Sequence, residues 1–138
     1  WPVNVHSVAG LLPEGCTVKS RSGLYLTDGD THVLAASDGQ PAIAAHTFGK
    51  GCGVYMGGFA YSPVNARMLL NLLLWATGRP LTCDYLPDMP QVECAAWPEE
   101  GKLVLINNGE TDVETTIPTP KGDVTARLSP YQTLILDQ

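Results

Sequence analysis

Apolar and polar positions follow two different periods along this chain, and they divide it near its middle. Val64, Met68, Leu69, Leu72, Leu73 and Ala76 recur at helical spacing, and Leu70, Leu74 and Trp75 carry apolar surface round most of the remaining circumference. The spacing predicts one helix over 63–77, with a narrow polar stripe of Asn65, Arg67, Asn71 and Thr77. Both ends are written locally. Ser62 is placed to cap the first turn and Pro63 fits the first helical position, while Gly78 supplies the left-handed residue past the last turn and Pro80 blocks continuation. A helix this apolar is expected to be covered on nearly all sides.

Short runs precede it. Gly23–Thr27 and His32–Ser37 read as strands across the turn Asp28-Gly29-Asp30. Asp38-Gly39 leads into a strand over Pro41–Phe48, and Gly49-Lys50-Gly51 into one over Cys52–Met56, a meander that ends in the helix. Residues 1–22 show no periodicity and read as an extended lead-in and a loop. After Pro80 the period changes. Residues 81–91 carry two prolines and two aspartates and read as a linker. Strands only are expected afterwards, over 92–97, 102–107, 113–118, 123–128 and 132–137, with turns at Glu99-Glu100-Gly101, Asn108-Gly109, Pro120-Lys121-Gly122 and Ser129-Pro130. That spacing is that of a small antiparallel β-sandwich.

Composition supports this β-rich α+β reading: 138 residues, 44% apolar, with eleven prolines and fourteen glycines, favour short strands and turns over a bundle. The longest apolar run, Met68–Ala76, is broken by Asn71 and is too short to span a bilayer. The net charge of -6 is unevenly spread. Residues 1–80 hold five Lys/Arg and four Asp/Glu, residues 81–138 three and ten, which disfavours nucleic acid and anionic membrane as partners. Cys16, Cys52, Cys83 and Cys94 are scattered without a C-x-x-C pair and read as free buried thiols of a reducing compartment. The abrupt start at Trp1, with no methionine and no basic leader, reads as a segment of a longer protein.

Candidate chemistry is sparse. Gly49-x-Gly51-x-Gly53 opens a strand and not a helix, so it reads as a turn rather than a phosphate cradle. Gly57-Gly58 does precede the helix, where close packing of helix on strand is favoured over an anion site. His6, His32 and His46 lack metal-ligand spacing, and Glu99-Glu100 is a solvated turn tip. Tyr25, Tyr55, Tyr61, Trp75, Tyr85, Trp97 and Tyr131 are read mainly as core, with a Trp97–Tyr131 platform for sugars as the rival. No catalytic, substrate-binding or metal-binding residue is assigned.

Several motifs taken in order resemble a known family. They are Phe48-Gly49-Lys50-Gly51, Val54-Tyr55 with Gly58, Ser62 and Asn65 with Arg67-Met68-Leu69-Leu70, Leu74-Trp75-Ala76, Trp97-Pro98-Glu99 with Gly101-Lys102, and Asn107-Asn108. From about residue 24 onward they resemble the C-terminal part of the 1,3-β-galactosyl-N-acetylhexosamine (lacto-N-biose and galacto-N-biose) phosphorylases. The resemblance implies that residues 1–80 close an amidotransferase-like, flavodoxin-like α/β domain and that 92–138 form the terminal sandwich. It implies a cytoplasmic parent enzyme whose catalytic barrel lies outside this sequence. No cofactor is implied beyond inorganic phosphate as co-substrate, and the expected partner is the remainder of the parent chain, with a second copy as the alternative. The amidotransferase likeness carries no such activity, because Cys52 sits mid-strand with no adjacent His or acid. A hydrolytic β-galactosidase with a similar tail and a non-catalytic carbohydrate-binding module are the rival readings.

Overall fold

A computed structural model describes residues 10–21 and 24–138. The chain divides into two compact units, one up to Leu81 and one from Thr82 onward. His6 and the rest of residues 1–9 fall outside the described residues, as do Ser22 and Gly23, where the first expected strand begins.

The first unit is an antiparallel meander of β1 (His32–Ser37), β2 (Gln40–Phe48) and β3 (Gly51–Met56), followed by helix α1 (Pro63–Ala76). Asp38 and Gly39 both take positive φ, which gives the two-residue turn whose twist matches its flanking strands. Register runs from Ser37↔Gln40 to His32↔Ala45 and from Phe48↔Gly51 to Ile43↔Met56, with irregularities in β1 between Val33 and Ala36. Alternation along β2 sends Ile43 and Ala45 into a core with Leu11, Met68, Leu72 and Trp75. Ala44, His46 and Phe48 therefore occupy the other face of the sheet. Leu24–Thr27 forms no strand, contrary to expectation. Asp28 accepts from Asp30 N–H and the Thr31 hydroxyl, closing a side-chain-to-backbone turn, and Leu24 and Leu26 fold over the sheet face instead of joining its edge.

The caps of α1 form as their residues dictate. Ser62 Oγ accepts from Asn65 N–H at 3.1 Å, and Gly78 at φ 71° lets Gly78 N–H reach Trp75 O and Arg79 N–H reach Leu74 O. The expected polar stripe is the finding that changes most. Asn65 and Asn71 are buried, whereas Leu73 is 55% exposed and Leu69 is exposed beside it. The loop before β1 is pressed on the helix and brings backbone groups with it that the two amides satisfy. Asn65 Oδ1 accepts from Thr17 N–H at 2.9 Å, and its Nδ2 donates to Thr17 O at 3.0 Å and Ala60 O at 2.6 Å. Asn71 Nδ2 donates to Gly10 O and Leu11 O. Gly57 is likewise explained by that loop and not by the helix. A Cβ there would stand 2.6 Å from Lys19 O, and Lys19 N–H bonds Gly58 O.

The second unit pairs β4 (Val92–Trp97), β5 (Lys102–Asn107) and β8 (Thr133–Asp137) in one antiparallel sheet and β6 (Val113–Ile117) with β7 (Val124–Leu128) in another. Inward residues of the two sheets share a core of Val92, Leu105, Val113, Ile117, Ala126 and Leu128, an arrangement compatible with a small sandwich. Residues 85–89 are tied to β6: Tyr85 N–H bonds Pro118 O, and Asp88 accepts from Thr115 Oγ1 and Thr116 N–H. Buried Asn107 pins the loops, donating to Thr111 O and Ser129 O while accepting from Gly109 N–H. All four cysteines are free; Cys16, Cys52 and Cys94 are half-buried, but Cys83 is exposed. No helix among the described residues is long and apolar enough to cross a membrane.

Candidate functional site

Two places concentrate side chains that the cores do not use. The first is on the face of the β1–β3 sheet opposite α1. Because β2 and β3 alternate, Ala44, His46, Phe48, Gly53 and Tyr55 line this face, and Leu24, Leu26 and Thr31 border it, leaving a groove of about 380 Å³. Its walls are mostly apolar, and Phe48 is 84% exposed. His46 provides the polar group. Its Nδ1 is buried with no hydrogen-bond partner, and Asp28 Oδ1 lies 3.8 Å away, beyond hydrogen-bond reach.

Asp28 titrates below the ordinary carboxylate value. The main cause is the hydrogen bond from the Thr31 hydroxyl; partial desolvation opposes it, and the Asp30 amide and His46 add to the lowering. With its folded value depressed, this carboxylate contributes stability above its unfolded pKa and loses it as pH falls through the folded one. Thr31→Ala is expected to raise the Asp28 midpoint followed by carboxyl ¹³C NMR; an unchanged midpoint refutes the assignment of cause. The Thr31 hydroxyl donates to Asp28, and Cys52 packs into the core on the helix side.

The second place is the β4–β5 hairpin. Trp97 closes β4 opposite Lys102, and the turn that follows is held by Glu100 N–H to Trp97 O and Gly101 N–H to Pro98 O. Glu99 and Glu100 are exposed at its tip, as the sequence implied. Trp97 itself is 47% exposed, so it is not core. Its proposed companion is elsewhere. Tyr131 N–H bonds Gly109 O beyond the far end of β5, and six register positions at about 3.3 Å each separate the two aromatic positions by roughly 20 Å. They do not form one platform. Tyr25 and Tyr61 also emerge exposed, whereas Trp75 is buried against Ile43 and Met68 as expected.

The glycines behave as turns and close contacts. Gly49 turns β2 into β3 at φ 58°, and in the first turn of α1 after Gly57-Gly58 the Asn65 N–H is taken by Ser62 Oγ and the Ala66 N–H by Ser62 O. His32 lies on exposed edge strand β1. Among the described residues, no group of three or more His, Cys, Asp or Glu is placed to hold a metal ion.

Comparison with known proteins adds a second line of observation. The sequence model of the lacto-N-biose phosphorylase central domain matches residues 5–81, and that of the lacto-N-biose phosphorylase C-terminal domain matches residues 85–136. Among curated relatives, a D-galactosyl-beta-1->4-L-rhamnose phosphorylase of Lachnoclostridium phytofermentans is 33% identical over 88% of this chain and 17% of its own length. A 1,3-beta-galactosyl-N-acetylhexosamine phosphorylase of Bifidobacterium longum subsp. longum is 33% identical over 71% of this chain and 13% of its own. A second L. phytofermentans protein of the latter name is 28% identical over 77% of the chain and 15% of its own length. The chain thus spans less than a fifth of the relatives it matches.

Proposed function

This chain belongs to the lacto-N-biose phosphorylase family, and from that premise we propose that it is a non-catalytic C-terminal part of an inverting galactoside phosphorylase. The observation that carries the reading is the pair of family-domain matches in series, over 5–81 and 85–136, which account for nearly the whole sequence. The parent reaction is cleavage of a β-1,3-galactosyl-N-acetylhexosamine, or a related β-galactoside, by inorganic phosphate. Phosphate attacks the anomeric carbon from the face opposite the leaving oxygen, the glycosidic C–O bond breaks, and a carboxylic acid protonates that oxygen. The product is α-galactose 1-phosphate. Since phosphate replaces the water of an inverting hydrolase, the second carboxylate that would activate water is dispensable.

In this reading the first unit closes an amidotransferase-like α/β domain, and the catalytic acid lies in the remainder of the polypeptide. The segment's own role is assembly. Leu69 and Leu73 on one face of α1, and Phe48 on the far face of the sheet, are apolar surface that a neighbouring part of the same protein would cover. The remainder of the parent chain is the proposed partner, with a second copy of the protein as the alternative; the acidic second half argues against nucleic acid.

The full-length polypeptide carrying this segment is expected to release galactose 1-phosphate from β-galactosides only when phosphate is supplied. Free galactose formed without phosphate would overturn the reading in favour of a hydrolytic β-galactosidase.

A further inference from the structure

Registry in the β4–β5–β8 sheet brings three chemically different side chains into one outward row. Trp97 pairs with Lys102, and Lys102 pairs with Asp137. Directly opposed residues share a face with Cβ atoms about 5 Å apart. The pairing is visible in the side chains, since Lys102 Nζ lies 3.8 Å from Asp137 Oδ1 with both groups largely in solvent. The next row on the same face, Ala95↔Val104↔Ile135, is apolar, and Ile135 is 63% exposed. A hollow of about 340 Å³ opens beside the ring, lined by Ala96, Trp97, Pro98, Glu99 and Glu100.

The backbone under this row is held from both sides. Gln138 N–H bonds Gly101 O at 2.7 Å, Gly101 takes φ 63°, and a Cβ at Gly101 would stand 3.0 Å from Gln138 O. The platform is therefore built on paired strands and a closed turn, which fixes the backbone that carries the ring and lowers the ordering cost on binding.

What such a row can recognise follows from its parts. A half-exposed indole offers a flat apolar face, the ammonium donates hydrogen bonds, and the carboxylates accept them. An anionic ligand would meet Asp137, Glu99 and Glu100 against Lys102 alone. A wholly apolar ligand would strip water from the Lys102–Asp137 pair without replacing it. A neutral ring with C–H groups on one side and hydroxyls round its rim satisfies all three groups together. We propose that the Trp97–Lys102–Asp137 row is a carbohydrate-binding surface that takes a neutral pyranoside, its C–H face stacked on Trp97 and its hydroxyls shared between Lys102 and Asp137. The inference is independent of the catalytic assignment, because it concerns binding by this chain alone.

The test is a titration of the 138-residue protein with methyl β-galactoside, lactose and glycerol, followed by ¹H–¹⁵N NMR. The two sugars are expected to shift the Trp97 indole N–H saturably, with a millimolar dissociation constant, while the Trp75 indole stays in place and glycerol has no effect. Trp97→Ala should remove the response and Trp97→Phe retain it at about a tenfold weaker affinity, and Asp137→Asn should weaken it without altering the melting curve. The proposal is overturned by sugars that leave the indole unmoved up to about 100 mM, enough to fill most of a site with a Kd of about 10 mM. It fails equally if glycerol reproduces the shifts or if Trp97→Ala binds as before. Concentration-dependent shifts of Trp97, Val104 and Ile135 in the absence of sugar would mark the face as a polypeptide interface and also overturn it.

Discussion

Asn65→Ala is expected to lower the unfolding free energy of the first unit by about 3 kcal/mol, measured by urea denaturation with Trp75 emission as the probe in a background carrying Trp1→Phe and Trp97→Phe. Asn65 is fully buried, and one amide satisfies groups on two separate stretches of chain: Thr17 N–H and Thr17 O on the loop before β1, and Ala60 O ahead of the helix. Alanine removes the amide but leaves those backbone groups where they are, and because Thr17 and Ala60 are themselves exposed each lost partner costs toward the lower end of about 1–3 kcal/mol. The total stays below a simple sum because water can enter as the loop lifts. Asn71→Ala provides the comparison. Its contacts to Gly10 O and Leu11 O are longer, at 3.2 and 3.3 Å, and only the donor side of the amide is engaged by them. A loss of about 1 kcal/mol is expected there. If Asn65→Ala stays within about 1 kcal/mol of the parent, the loop is not pinned by this residue.

Leu105→Ala is expected to destabilise the second unit by about 2–5 kcal/mol, read as lost amide protection along β5 and β8 in hydrogen exchange. Leu105 is fully buried at the centre of the middle strand, opposite Cys94 on β4 and Leu134 on β8, and it faces the core shared with Val113, Ile117 and Leu128. Burial of Cys94 beside it is strong enough to push the thiol above its usual pKa. Removing three carbons here leaves a cavity between two sheets that cannot close without shifting both. Ile135→Ala is the control, since Ile135 belongs to neighbouring strand β8 but points to the opposite face and is mostly in water. It should cost well under 1 kcal/mol. Equal losses for the two variants would mean that the two faces of this sheet have been assigned wrongly.

Much of this architecture was legible because its causes are local. Asp38-Gly39 can supply two positive φ values in a row, so the β1–β2 turn follows from two letters. Ser62, Pro63 and Gly78 set the ends of α1 through backbone groups within a few residues of themselves. The strands of the second half are spaced by their turns and alternate because the pleat does. The motifs that resembled the phosphorylase family were likewise readable, as their order along the chain does not depend on the fold.

The failures share one origin. Asn65 and Asn71 read as the wet side of the helix because an amide in isolation prefers water; they are buried because a loop some fifty residues away offers them backbone partners. Leu24–Thr27 has the composition of a strand, and its neighbours across the turn decide that Leu24 and Leu26 lie over the sheet face. Trp97 and Tyr131 are similar in chemistry but sit at opposite ends of β5, whereas Lys102 and Asp137, which carried no signal, stand beside Trp97.

The sequence alone therefore determined the helix and the strands apart from the one expected at Gly23–Thr27, their ends to within a residue, and the family the chain belongs to, since these rest on φ preferences, capping and residue order within short windows. Only the tertiary structure decided which face of each element is covered and which side chains meet, because burial and pairing depend on groups far apart in the chain, and a polar residue's preference for water reverses once those groups supply its hydrogen bonds.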